Sequence, residues 1–179
     1  MPSRYRVPVG WAVGVLVFAL AQPTPRSLLL GLPLAVLGEA VRVWASGHIE
    51  KTRRLATGGP YAHSRNPLYV GSLLMAFGVA IACWSPWVVL AVAGYFLVFY
   101  PSVMAEEAAF LAKQFPEEHA AWAAAVPLFW PRLEPNGPRS SRFERARVRM
   151  NREWRTAAAL PLLAALLLAL PHLRRALGL

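Results

Sequence analysis

The stretch "RNPLYVGSLLMAFGVAIACWSPWVVLAVAGYFLVFYPSVMAEE", residues 65–107, decides the fold because it contains two long apolar segments joined by a short turn. The turn, at Ser85–Pro86, carries no charge, whereas polar residues stand at both ends of the stretch. Two such segments predict a helical hairpin that crosses a membrane twice. A hairpin brings its two ends to one membrane face, so the residues around Arg65 and Glu107 are expected to meet.

The composition of the whole chain favours a membrane protein. Of 179 residues, 56% are hydrophobic and 16% are charged, whereas soluble domains carry about 25% charged residues. The predicted fold is an all-α polytopic membrane helical bundle of about five transmembrane helices, with further cytoplasmic or interfacial helices. The predicted spans are 7–22, 27–46, 68–84, 87–104 and 156–170.

The distribution of charge predicts the orientation of these spans. The formal net charge is +10, and the basic residues concentrate at 51–65 and 132–155. Because both runs flank apolar segments, the positive-inside rule explains them better than nucleic-acid binding does, and no nucleic-acid partner is expected. We expect 51–65 and 105–155 to face the cytoplasm, with the chain integral to the cytoplasmic (inner) membrane if it is bacterial. Arg174 and Arg175 conflict with this orientation, because they follow the last span on the opposite side.

Polar sequence separates the fourth apolar segment from the last. Residues 106–126 predict a helix with a break at Pro116. Residues 142–155, "RFERARVRMNREWR", predict a basic amphipathic helix that can lie on anionic headgroups. The chain therefore divides into a membrane-embedded core at 1–131, a basic interfacial linker helix at 132–155 and a C-terminal transmembrane helix at 156–179.

Charged residues inside the second apolar segment are candidate functional residues. Glu39 and Arg42 lie one helical turn apart, so they can pair with each other. Charge within a membrane segment is costly and is usually retained for function. No metal site is predicted, because the four histidines lack metal-ligand spacing and the single cysteine, Cys83, excludes a site built from cysteines.

Three stretches together resemble a known superfamily. "GPYAHSRNPLYVG" at 59–71, followed by "EEAAFLAKQFPEEHAAWAAAVPLFWP" at 106–131, resembles the isoprenylcysteine carboxyl methyltransferase and phospholipid methyltransferase superfamily of integral membrane enzymes. Upstream, "LGEAVRVWASGHIEK" at 37–51 resembles the Gly-Glu-x-x-Arg helix of the carboxyl methyltransferases. The resemblance covers about residues 37–131.

The resemblance implies S-adenosyl-L-methionine as the cofactor, bound at the cytoplasmic end of the hairpin, with S-adenosyl-L-homocysteine as the product. It further implies candidates for substrate binding or orientation, which are Glu39, Arg42 and Arg65. The cofactor contacts expected from motif position and its neighbours are Lys51, Arg54, Leu55, Tyr61, Arg65, Asn66, Pro67, Leu68, Tyr69, Glu106 and Glu107.

The chemistry of these residue types suits that cofactor independently. An arginine and backbone N–H groups suit its carboxylate, and a glutamate suits its ammonium group or ribose hydroxyls. Tyrosine faces suit adenine, or the sulfonium by cation–π attraction. Methyl transfer is an in-line displacement, so positioning supplies much of the acceleration.

Two departures from the superfamily pattern leave the methyl acceptor open. Asn66 replaces the histidine of the Arg-His-Pro-x-Tyr signature, and Ser102 stands where the carboxyl methyltransferases carry a substrate-binding arginine. The predicted function is methyl transfer to a lipid or lipophilic small molecule that enters from the bilayer. One alternative is a membrane reductase with a nicotinamide cofactor, because sterol reductases carry a similar Arg-His-Pro-x-Tyr segment. The other alternative is a non-enzymatic membrane scaffold.

Overall fold

The computed structural model of the chain describes residues 5–50, 54–136 and 141–178. Of the described residues, 75% are helical and none lies in a strand. The prediction of an all-α protein is therefore confirmed. Its helices are α1 (Arg6–Leu20), α2 (Pro25–Ser46), a 3₁₀ helix (Gly59–Ala62), α3 (Pro67–Ala82), α4 (Pro86–Gln114), α5 (Pro116–Ala125), α6 (Arg145–Met150) and α7 (Trp154–Ala176).

Every predicted span corresponds to an apolar helix. Among the described residues, α2, α4 and α7 are long and apolar enough to cross a membrane. Helices α1 and α3 are equally apolar in character but have only 15 and 16 residues, compared with about 20 for a full span. These observations agree with a helical membrane bundle that contacts lipid.

Proline sets the start of several helices. Residues Pro67, Pro86 and Pro116 each occupy the first position of a helix, where the missing N–H costs nothing and the fixed φ angle suits the helix. Pro116 also produces the predicted break, because α4 ends at Gln114 and α5 begins two residues later. The fourth predicted span is longer than expected, since α4 continues past residue 104 without interruption.

The chain folds into two compact units. The first, which we call the apolar unit, comprises Met1–Gly38, Leu73–Ser102 and Ala157–Leu179. In this unit α2 and α3 approach each other closely, because a Cβ at Gly31 would overlap the backbone of Gly78 and Ala82, and one at Gly78 would overlap that of Ala35. Small residues allow this kind of close packing between membrane helices. The core around them contains buried apolar side chains from several helices, among them Leu28, Val88, Val92, Phe96, Leu167 and Leu170.

Arg174 in the apolar unit explains part of the conflict in the predicted orientation. Its guanidinium donates hydrogen bonds to the carbonyl oxygens of Ala21 at 2.6 Å and Ala19 at 2.8 Å. These carbonyls lie at the C-terminal end of α1, where helical hydrogen bonding leaves them without intrahelical partners. A cation is also favoured there by the helix dipole. The position of Arg174 therefore follows from capping α1 and carries less information about membrane orientation.

The second unit, which we call the loop unit, comprises Glu39–Ser72 and Val103–Thr156. Its core includes Leu55, Tyr61, Trp122 and Val126. Hydrogen bonds tie residues 61–66 to residues 122–132. They join Trp122 Nε1 to Tyr61 O (2.9 Å), Ser64 Oγ to Phe129 O (2.7 Å), Asn66 Nδ2 to Leu128 O (2.9 Å) and Arg65 N to Pro127 O (2.9 Å).

The basic stretch at 142–155 differs from the predicted single helix. Helix α6 covers only Arg145–Met150. The backbone then adopts a left-handed conformation at Arg152, which has a φ of 58°, before α7 begins. This stretch also contacts protein: the backbone N–H of Glu144 donates to Gly47 O at 2.9 Å. The predicted extent of the helix was wrong because hydrophobic periodicity reports neither this break nor this packing.

Candidate functional site

The loop unit contains a cavity of about 340 Å³, which is within the range of about 300–1,000 Å³ that ligand pockets occupy. It brings together many of the side chains that the sequence predicted as cofactor contacts, and its walls combine charged groups with aromatic faces. The predicted contacts that line it are Arg54, Leu55, Tyr61, Arg65, Leu68 and Glu107.

Tyr61 reaches the cavity from the 3₁₀ helix. The first residue of this helix must be glycine, because Gly59 has a φ of 57° and a Cβ there would overlap the imidazole ring of His48. The Tyr61 ring is buried beside Trp122, with the ring centroids 6.5 Å apart. Burial raises the pKa of the Tyr61 phenol well above its usual value, and the nearby Glu107 carboxylate raises it further. Tyr61 is therefore present as a neutral phenol.

Arg65 lines the same cavity and carries a buried hydrogen-bond donor. Its backbone is fixed by the hydrogen bond to Pro127 O, whereas its side-chain Nε is buried and has no hydrogen-bond partner. Burial lowers the pKa of the Arg65 guanidinium. A buried donor without a partner is costly unless a ligand satisfies it. A carboxylate or phosphate matches guanidinium geometry best.

The two ends of the α3–α4 hairpin meet as predicted. The Tyr69 hydroxyl donates a hydrogen bond of 2.9 Å to Glu107 Oε2. Both adjacent glutamates are exposed, but Glu107 lines the cavity and Glu106 does not. Consecutive residues on a helix point about 100° apart, which explains why only one of them reaches the cavity.

A much smaller cavity, of about 10 Å³, is also lined by Arg65 and Glu107. Asn66 and His119 also line it, and the Asn66 amide donates to Leu128 O. Burial lowers the pKa of His119, and the positive charge of Arg65 lowers it further.

The remaining predicted contacts occupy other places. Pro67 is buried at the start of α3, and neither Pro67 nor Tyr69 lines the larger cavity. Lys51 lies outside the described residues.

The predicted pair of Glu39 and Arg42 is present, but Arg42 has a closer partner. Glu39 Oε2 lies 3.8 Å from Arg42 Nε, whereas Glu153 Oε1 lies 2.7 Å from both Nε and Nη2. Arg42 also donates through Nη1 to Ser72 Oγ. Glu153 was not predicted, because 111 residues separate it from Arg42 in the chain.

Several wall residues of the larger cavity were also missed. Phe110, Leu111 and Gln114 follow Glu107 by three, four and seven residues on α4. This spacing places them on the same helix face as Glu107, so extending the helix from the predicted glutamate would have found them. The other missed wall residues come from two further segments and are Ile49, Glu50, Ala56, Phe115 and Trp122.

Comparison with known proteins assigns the sequence to a family. The pattern of the phospholipid methyltransferase family matches residues 11–118. The chain therefore belongs to the phospholipid methyltransferase family, a membrane methyltransferase family whose members depend on S-adenosylmethionine. The resemblance expected from the sequence is confirmed. No solved structure matches the chain significantly.

Two relatives carry names that refer to metal resistance. The cobalt-zinc-cadmium resistance protein CzcN of Cupriavidus metallidurans is 40% identical over 107 residues, which cover 59% of this chain and 48% of that protein. The nickel-cobalt-cadmium resistance protein NccN of Alcaligenes xylosoxydans xylosoxydans is 31% identical over 147 residues, which cover 73% of this chain and 67% of that protein. The chain thus spans about half and two thirds of the lengths of these relatives. Among the described residues, no group of three or more His, Cys, Asp or Glu side chains is arranged to hold a metal ion.

Proposed function

We propose that this chain transfers a methyl group from S-adenosyl-L-methionine to a lipid or lipophilic small molecule at the cytoplasmic face of the membrane. The observation that carries this proposal is the buried, unpartnered Nε of Arg65 in the wall of the 340 Å³ cavity. A donor in that position needs an anionic ligand, and the cofactor offers one in its carboxylate.

The rest of the cavity wall fits the other parts of the cofactor. The Glu107 carboxylate, oriented by Tyr69, suits the ammonium group or the ribose hydroxyls. The faces of Tyr61 and Trp122 suit the adenine ring. We also retain Lys51, Arg54, Leu55, Asn66, Pro67, Leu68 and Glu106 as proposed cofactor contacts.

When bound, the cofactor supplies a sulfonium methyl group that an acceptor atom can attack in line. The chain's own residues would hold the two reactants in line, and this positioning would supply much of the acceleration. Glu39 and Arg42 are the proposed acceptor-orienting pair, because they belong to a helix long and apolar enough to cross the membrane. An acceptor that enters from the bilayer would meet them there.

The names of the two relatives support a second, compatible proposal. We infer that methylation by this chain contributes to resistance against metals such as those in their names, cobalt, zinc, cadmium and nickel. Growth of a deletion strain on each metal, complemented with the wild-type chain or with Glu107→Gln, tests this proposal. Equal growth with both complementing genes would separate metal resistance from the cavity.

Ligand binding by the purified protein tests the main proposal. The protein in detergent is titrated calorimetrically with S-adenosyl-L-homocysteine and, separately, with NADPH. We expect binding of S-adenosyl-L-homocysteine that Arg65→Ala weakens roughly 10–100-fold, which is the loss of one hydrogen bond to a charged group. Glu118→Ala, an exposed glutamate in the same unit, is the matched control and should bind as the wild type does.

The same titration separates the alternatives. Binding of NADPH alone would replace methyl transfer with the reductase function. Binding of neither ligand would favour the non-enzymatic scaffold. The acceptor is then sought by incubating membranes with methyl-labelled S-adenosyl-L-methionine and measuring which lipid fraction gains the label.

A further inference from the structure

A buried ion cluster surrounds Arg42 in the loop unit. The carboxylates of Glu153 and Glu39 both lie within 4 Å of its guanidinium, and 7% and 9% of these side chains are exposed. Arg42 also donates to Ser72 Oγ. The cluster thus contains two carboxylates and one guanidinium.

The two carboxylates share Arg42 unequally. Glu153 accepts a hydrogen bond of 2.7 Å from Arg42 Nε, whereas Glu39 is 3.8 Å away. Both oxygens of Glu39 are buried and lack a hydrogen-bond partner. A buried carboxylate without hydrogen bonds is costly and favours a ligand that donates to it. Within the cluster, the Glu39 carboxylate can therefore accept a hydrogen bond from a ligand, whereas the Glu153 carboxylate already accepts one from Arg42.

Glu153 reaches Arg42 because its chain segment is fastened to the loop unit at several points. The Ser141 hydroxyl accepts a hydrogen bond of 3.0 Å from Gly58 N, and Asn151 Nδ2 donates to Ser46 O at 2.9 Å. Arg147 lies 3.1 Å from Glu50, a wall residue of the 340 Å³ cavity. This segment lies beyond residue 118, where the match to the family ends.

Glycines at two positions of the loop unit allow the segment at 141–153 to approach closely. A Cβ at Gly47 would overlap the ring of Phe143, and a Cβ at Gly58 would overlap the backbone of Ser141. Close approach at two separate positions shows that residues 141–153 are built into the loop unit. They are more than a basic surface attached to it.

We propose that Glu153 is a positioning residue for the acceptor side of the site. By binding Arg42, Glu153 keeps the guanidinium from closing onto Glu39 and leaves the Glu39 carboxylate available to a hydrogen-bond donor on the acceptor. This inference rests on the proposed methyl transfer for its role, but the arrangement of the three side chains is testable without any acceptor. The segment at 141–153 thereby supplies part of the site from outside the family-matched region.

The test uses the reactivity of Glu39 toward a hydrophobic carbodiimide, which modifies protonated carboxyl groups in apolar surroundings. Glu153→Gln keeps the size of the side chain and removes its charge, so Arg42 should move closer to Glu39 and tighten the ion pair, whose nearest atoms are 3.8 Å apart in the wild type. Modification of Glu39 in the purified protein, measured by mass spectrometry, should then fall several-fold relative to the wild type. Glu153→Asp should retain most of the wild-type reactivity, because its charge remains.

A double substitution distinguishes positioning from general support of the fold. Incorporation of labelled methyl groups into vesicles of phosphatidylethanolamine and phosphatidylglycerol should fall about tenfold in Glu153→Gln, a coupling typical of residues in one ion network. In a Glu39→Gln background, adding Glu153→Gln should cause no further loss. Binding of S-adenosyl-L-homocysteine should stay within about twofold of the wild type in all these variants.

Two results would overturn the inference. One is unchanged Glu39 modification in Glu153→Gln, since Arg42 would then not respond to the missing charge. The other is a parallel loss of thermal stability and of S-adenosyl-L-homocysteine binding in Glu153→Gln, since that would assign Glu153 a purely structural role. Absence of S-adenosyl-L-homocysteine binding by the wild type would instead contradict the proposed function, while the modification result would still decide how the three side chains are arranged.

Discussion

The apolar unit and the loop unit are stabilised by different interactions. In the apolar unit, helices meet through glycines and apolar side chains, and the approach of α2 to α3 at Gly31 and Gly78 leaves no space for a Cβ. In the loop unit, side chains donate hydrogen bonds to backbone carbonyls far away in the sequence, as Trp122 does to Tyr61 and Ser64 does to Phe129. Close helix packing therefore predominates in the first unit, although Arg174 also donates to the carbonyls of Ala19 and Ala21, and polar contacts predominate in the second.

This difference supports the placement of the proposed site in the loop unit. Among the described residues, the buried side-chain nitrogen and oxygen atoms that lack hydrogen-bond partners belong to Glu39 and Arg65, and both residues lie in the loop unit. Native proteins satisfy nearly all buried polar groups, so exceptions suggest places where a ligand completes the structure. The loop unit, unlike the apolar unit, thus contains buried side-chain atoms to which a ligand could form hydrogen bonds.

The largest expected effect comes from adding volume where two helix backbones touch. Gly78→Leu would force α2 and α3 apart, because a Cβ there already overlaps the backbone of Ala35. Overpacking typically costs about 1–3 kcal/mol, and a clash with backbone exceeds that range because backbone cannot rotate away. We expect little folded protein in detergent, measured by size-exclusion chromatography and thermal unfolding.

Gly94→Leu is the matched control for this prediction. Gly94 lies on α4 in the same unit, and nothing is within 4 Å of a Cβ placed there. Leucine also favours the helix by up to about 1 kcal/mol relative to glycine. Equal yields and unfolding midpoints for the two variants would show that the close crossing does not specify the apolar unit.

A smaller loss is expected from removing one hydrogen bond in the loop unit. Trp122→Phe keeps an aromatic ring but leaves the carbonyl of Tyr61 without the 2.9 Å hydrogen bond from Nε1. An unsatisfied buried acceptor costs about 1–3 kcal/mol. We expect a lower unfolding midpoint and weaker binding of S-adenosyl-L-homocysteine, because Tyr61 and Trp122 both line the cavity.

Trp130→Phe is the control in the same unit, since Trp130 is 74% exposed whereas Trp122 is 2% exposed. It should leave both measurements unchanged. If Trp122→Phe unfolded at the wild-type temperature, the loop unit would be held by packing, as the apolar unit is, and the contrast between the units would fail.

Sequence patterns predicted the apolar unit better than the loop unit, for a physical reason. Hydropathy averages over many residues, so the apolar helices appear at nearly the predicted positions. The hairpin argument was also sound, since Tyr69 and Glu107 meet. In each case the signal is local or follows from chain topology.

The loop unit contains the contacts that local patterns could not give. Every residue type has a backbone carbonyl that can accept a hydrogen bond. A contact such as that from Asn66 to the Leu128 carbonyl therefore leaves no pattern in the sequence at the accepting position. The Arg42–Glu153 pair joins residues 111 positions apart. The sequence motif therefore predicted one part of the cavity wall, which contains Tyr61 and Arg65. The rest of the wall became apparent only from the tertiary structure.

A modest effect is expected where a charged residue stabilises the apolar unit. Arg174→Met keeps the apolar length of the side chain but removes the donors that satisfy Ala19 O and Ala21 O. The interaction of a cation with a helix C-terminus stabilises a protein by up to about 1 kcal/mol at exposed sites. We therefore expect an unfolding midpoint a few degrees lower. Arg175→Met, an exposed neighbour, should have no effect. The opposite ranking would mean that α1 is capped by other groups.

The smallest expected effect is a pH dependence that arises in the loop unit at His119. Burial lowers the pKa of His119 below its usual 6.5, and the charge of Arg65 lowers it further. Below that pH the folded state binds fewer protons than the unfolded state, so the free energy of unfolding falls as the pH decreases from about 7 to about 5. His119→Gln should reduce this fall, measured by thermal unfolding in detergent across that range. Because burial is the larger cause, Arg65→Gln should keep most of the wild-type slope, and a slope as flat as that of His119→Gln would instead identify the Arg65 charge as its source.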